Sequence, residues 1–137
     1  MSESTPSALV RRSTAHASLA ALGVRLCQLD LLAPIRKGVQ IAQKRVRYSP
    51  FDKLYDCFIA LLAGAHGIVE VNLGLRADPA LQAAFGRTAC AEQSVIQDTL
   101  DACTATNVAQ MEAAMDQIFR QHSRAARHDY QIGRAHV

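Results

Sequence analysis

Apolar side chains recur at helical spacing through the middle of the chain, most clearly as Phe51, Leu54, Tyr55, Phe58, Ile59 and Leu62. Steps of three and four place all six on one side of a helix, so that side is expected to be buried. Ser49 stands where it can accept a hydrogen bond from the first free backbone N–H groups, and Pro50 follows where a missing N–H costs nothing. Gly64 and Gly67 bracket the far end, so the pattern predicts a core helix over residues 50–63.

The same reading extends along the chain. Residues 1–7 form a polar terminus. A helix is predicted over residues 8–22 with Leu9, Ala15, Leu19 and Leu22 inward, Gly23 as an interruption and residues 24–29 as a continuation. Pro34 opens a short helix over 34–39 with Ile35 and Val39 as apolar contacts. Beyond Gly67, Val69, Val71, Leu73 and Leu75 alternate as in a strand, whereas Ile68, Val71, Asn72 and Leu75 fit a helix. Helix is chosen, because no second strand is in prospect and a lone strand leaves its backbone groups unpaired. Asp78 and Pro79 repeat the cap-and-proline start for a helix over 79–85 that stops at Gly86.

A further helix over 92–104 turns Val95, Ile96, Thr99, Leu100 and Cys103 inward and Gln93, Ser94, Gln97, Asp98 and Asp101 outward. A short helix, a glycine turn and a second helix with a polar face is the layout of a helix-turn-helix, and equally of antiparallel packing in any bundle. Thr106 or Asn107 is expected to cap a last helix over 108–127, with Val108, Met111, Met115, Ile118, Phe119 and His122 inward and Asp116 spaced to pair with Arg120. Arg120, Arg124 and Arg127 fall near its C-terminal end, where positive charge suits the helix dipole. The fold class is all-α, a small multi-helix bundle with a helix-turn-helix-like pair as an option.

Composition narrows the chemistry. A chain of 137 residues, 50% hydrophobic and 20% charged, suits one domain with a real core. The net charge of +3 says little, but Arg36, Lys37, Lys44, Arg45 and Arg47 occur with no acid between Asp30 and Asp52. That run would attract a polyanion, or simply be a solvated loop. Cys27, Cys57, Cys90 and Cys103 are too far apart for a C-x-x-C site and are expected as buried, reduced thiols. No apolar run reaches the length of a membrane span, and the Arg11–Arg12 pair is followed by too broken an apolar stretch for an export signal. His16, His66, His122, His128 and His136 are scattered without ligand spacing, and neither a P-loop nor a G-x-G-x-x-G occurs. Asp52, Asp56, Asp98, Asp101, Glu112 and Asp116 all fall on helix positions predicted to face water. On these residues alone the chain reads as a helical domain without an active site.

Four stretches taken in order add a resemblance: KRVRYSPFDKL (44–54), LAGAHGIVEVN (62–72), LRADPALQAAFG (75–86) and AEQSVIQDTLDA (91–102). Together they resemble the N-terminal helical region of bacterial DDE-type insertion-sequence transposases, over about residues 39–130. In that family the region precedes an RNase H-like domain whose three acidic residues hold two divalent metals. The resemblance implies a fragment truncated before the catalytic domain and inactive by itself, with no cofactor of its own and Mg²⁺ expected only for the missing domain. It also implies a cytoplasmic bacterial protein whose partners are DNA, namely transposon ends, and a second copy through self-association, with no membrane. The DNA-contact candidates are Arg36, Lys37, Lys44, Arg45 and Arg47 for phosphates, and Gln93, Ser94 and Gln97 for base edges. Asp98 departs from the basic or neutral residue common in that family, and an acid there would repel phosphate.

The chain divides into residues 1–47 (N-terminal helices and basic linker), 48–131 (helical core) and 132–137. This last segment, IGRAHV, resembles a translated sequencing adapter and is expected to be non-native. The expected function is DNA binding or assembly of a transposition complex. The alternative is a helical dimerisation or protein-interaction scaffold without DNA affinity.

Overall fold

The computed structural model describes residues 13–43 and 47–125. Lys44, Arg45, residues 8–12 of the first expected helix and the segment 126–137 lie outside the described residues, and residues 13–16, expected in that helix, are not helical. Within them the chain forms α1 (Ala17–Leu29), α2 (Ala33–Gly38), α3 (Pro50–Leu62), α4 (Glu70–Leu73), a 3₁₀ turn (Leu75–Ala77), α5 (Pro79–Ala84), α6 (Gln93–Asp101) and α7 (Ala105–His122). Among the described residues the fold is an all-α bundle of seven helices with no strand. The helical reading after Gly67 holds, as two short pieces.

Both cap-and-proline starts are present. The Ser49 hydroxyl accepts from Asp52 N–H at 3.1 Å while the Asp52 carboxylate accepts from Ser49 N–H at 3.2 Å, closing a capping box at the start of α3. Asp78 accepts from Leu81 N–H at 3.0 Å and so opens α5. The α5 end turns through Gly86 at φ +81°, a conformation that disfavours side chains, which lets Arg87 N–H reach Gln82 C=O at 2.9 Å. One N-terminal cap differs from expectation, and another comes from a distant element. α7 begins at Ala105 because Thr104, and neither Thr106 nor Asn107, is the cap, with Asn107 closing the box from its third position. α6 is capped from another element: Asn72 of α4 accepts from Gln93 N–H at 3.1 Å.

Gly23 does not interrupt α1. It lies buried in mid-helix because the Phe85 ring packs on it so closely that a Cβ there would stand 2.5 Å from Cδ2. The helix penalty of a glycine is offset by the close α1 to α5 approach it permits. Phe85 belongs to a core of Ile59, Ala60, Val71, Leu75, Leu81, Phe85, Cys90, Ala91 and Ile96. Around it α3 packs on α6 and α4, while α2 packs on α7.

The buried line of α3 is rotated from the one expected. Ile59 is inside, but Leu62 is exposed, and the fully sequestered positions also include Lys53, Asp56 and Ala60. The α7 stripe is corrected likewise. Asn107 and Ala114 are its buried residues, whereas Val108, Met115, Phe119 and His122 are exposed. The expected Asp116–Arg120 pair forms at 2.8 Å on the outer face. Residues 85–92 separate α5 from α6, a longer connection than the roughly 3–4-residue turn of a helix-turn-helix, and α6 packs on α3 and α4.

Candidate nucleic-acid interface

Asp56 overturns the expectation that every carboxylate faces water. Its side chain is 0% exposed, and its two oxygens take the Arg87 guanidinium at 2.7 and 3.1 Å and Ala91 N–H at 2.9 Å. Burial pushes the Asp56 carboxyl above its ordinary range, against the opposing pull of Arg87 and the Ala91 N–H. Arg87 also lies 3.5 Å from Asp52, so its charge is engaged within the fold. This fork ties the 86–91 loop to α3, nearly two turns beyond the point where the chain enters that helix. Nearby, the Tyr55 hydroxyl donates to Phe85 C=O at 2.7 Å, and burial raises its pKa.

The fork also orders the end of the basic segment. Arg87 lies 5.5 Å from the Tyr48 ring centroid, and Arg47 lies 5.1 Å from it. The other end of the segment is pinned by amides. Asn107 donates to Gln40 C=O at 2.8 Å, Gln40 N–H donates to Gln110 at 2.9 Å, and the Gln43 oxygen accepts from the Thr99 hydroxyl at 2.7 Å and Lys53 Nζ at 3.3 Å. Residues 40–43 are therefore laid against α3, α6 and α7 just before Lys44.

The sequence candidates separate into groups. Arg47 and Lys37 are exposed. Arg36 is exposed but engaged, its guanidinium forking onto Asp30 at 2.8 and 2.9 Å. Ser94 is exposed, Gln97 donates to Asp101 at 2.9 Å, and the Gln93 Oε1 is buried without a hydrogen-bond partner, so that oxygen is turned inward rather than toward a base edge. Two residues not singled out from sequence join the site. Lys53 of α3 and Arg76 of the 3₁₀ turn line a cleft of about 400 Å³ with Arg47, Tyr48, Glu92 and Asp98. Lys53 could be found only by knowing that the buried line of α3 passes through residues 53 and 56.

No known family, curated protein or solved structure matches this chain. The site is therefore characterised by its own chemistry. Among the described residues, no group of three or more His, Cys, Asp or Glu side chains could hold a metal ion, and no helix is long and apolar enough to cross a membrane. The four cysteines are free; against expectation Cys27 and Cys103 are exposed, while the buried Cys90 thiol is pushed up to about 12 by burial and stays protonated at neutral pH. A second surface is apolar. Val39, Leu54, Leu100, Val108, Met111 and Met115 line an open groove of about 460 Å³ between α3, α6 and α7.

Proposed function

We propose that this chain is the N-terminal helical part of a DNA transposase, one that binds transposon-end DNA or helps assemble the transposition complex. The RNase H-like catalytic domain would lie outside these residues. The observation that carries the reading is the set of cations left without carboxylate partners around the basic segment: Arg47, Lys53 and Arg76 form no ion pair among the described residues. Such charges suit sequence-independent phosphate contact, with affinity that falls steeply with salt. The four ordered stretches that resemble transposase N-terminal regions supply the biological context.

A filter-binding titration on terminal inverted-repeat DNA tests the reading. The chain should bind, and reversal of charge at Lys44, Arg45 and Arg47 should weaken it strongly; equal affinity of the two would contradict the assignment. A second reading, a dimerisation scaffold, draws support from the open apolar groove along α7. Light scattering separates the two, since a concentration-dependent dimer with no DNA affinity favours the scaffold.

A further inference from the structure

Lys53 is only 5% exposed, yet it forms no ion pair among the described residues. Its ammonium carries three donors, and among the described residues its acceptor is the neutral Gln43 oxygen at 3.3 Å, which Thr99 already uses at 2.7 Å. A sequestered charge with so little compensation is costly unless an anion or several acceptors complete it. Arg47 and Arg76 line the same cleft, and Arg47 is held over Tyr48. Arg87 lies beside the same tyrosine, but its charge is already taken by Asp56 and Asp52. Arg47, Lys53 and Arg76 thus line one hollow.

We propose that this cleft is a phosphate-binding site, in which Lys53 supplies the desolvated charge at the inner end and Arg47 and Arg76 close on the oxyanion from the rim. Planar guanidinium forks match the oxygens of a phosphate, and the lysine acts as a point charge. Glu92 and Asp98 line the α6 side of the cleft. They leave one unit of positive charge in excess and oppose the anion, so the affinity for a lone phosphate is modest and a polyanion is favoured. The carrier of the phosphate, a nucleic-acid backbone, rests on the function proposed above; the oxyanion site does not.

The test uses the full chain with two probes, pyrophosphate by calorimetry and a labelled mixed-sequence DNA duplex by anisotropy at several salt concentrations. Arg76 is exposed and forms no ion pair among the described residues, so Arg76→Gln leaves the fold intact; it should weaken both probes about tenfold and lower the salt slope on DNA by about one. Asp98→Asn should tighten both a few-fold, a direction that a folding defect does not imitate. Unchanged binding of both probes by Arg76→Gln, or no gain from Asp98→Asn, would overturn the site. DNA binding that ignores Arg76 keeps the nucleic-acid reading and removes the cleft from it. Pyrophosphate binding that depends on Arg76, without DNA binding, keeps the cleft and removes the nucleic-acid reading. Binding of neither probe removes both.

Discussion

Asp56 and Asp30 each hold an arginine in a two-point fork, and by distance the pairs are nearly alike, 2.7 and 3.1 Å for the first and 2.8 and 2.9 Å for the second. Water separates them. The Asp30 and Arg36 side chains are 57% and 42% exposed, so attraction is screened and much of it replaces hydration that either group would otherwise enjoy. Asp56 has no contact with solvent, and a third donor, Ala91 N–H, completes its oxygens. Its pair is worth little as a bonus over an apolar contact, but removal of one partner strands the other. The lesson for function is that a fork's geometry does not show whether its arginine is available. Arg36 can be drawn away by a competing phosphate at small cost, whereas Arg87 cannot leave without loosening the loop it anchors.

The largest effect should follow from breaking the inner pair. Asp56→Ala is expected to cost about 3–5 kcal/mol in chemical denaturation, because a guanidinium and a backbone N–H lose their acceptor together. Gly23→Ala comes next: the Phe85 ring must move, for a loss of about 1–3 kcal/mol, although alanine is the better helix former. Thr104→Ala should cost about 1 kcal/mol by removing the α7 cap. Arg36→Ala should change stability by no more than about 1 kcal/mol.

The two carboxyls also titrate in opposite senses. Asp30 is lowered, chiefly by its hydrogen bond from Arg36, so its contribution is present above the unfolded value, about 3.9, and fades as pH falls through the folded one. Asp56 is raised, chiefly by burial, so its contribution is full below the unfolded value and fades as pH rises through the folded one. Denaturation midpoints below about pH 5 should therefore show a slightly shallower acid loss in Asp30→Asn than in the parent chain. A steeper loss would reverse the assignment.

Local signals carried much of the fold. Ser49 with Pro50, Asp78 with Pro79, and Gly86 mark ends that depend on neighbours in sequence, and the helices stand close to their expected places. Features set by distant partners were not legible. The apolar period of α3 does not reveal that Asp56 turns inward, because its compensation comes from Arg87, 31 positions later. Gly23 looks like a break until Phe85 is brought against it. The α7 stripe looks like core because periodicity reports which residues share a side, and not whether another element covers them. Of the candidate site, Arg47 was legible as part of a run without acids, but Lys53 and Arg76 required the tertiary fold.

A pair of double-mutant cycles in urea tests the contrast most directly, with alanine at Asp56 and Arg87 in one and at Asp30 and Arg36 in the other. The expected coupling is about 1.5–3 kcal/mol for the buried fork and under about 0.5 kcal/mol for the exposed one. Equal couplings, or a larger one at Asp30 and Arg36, would contradict it.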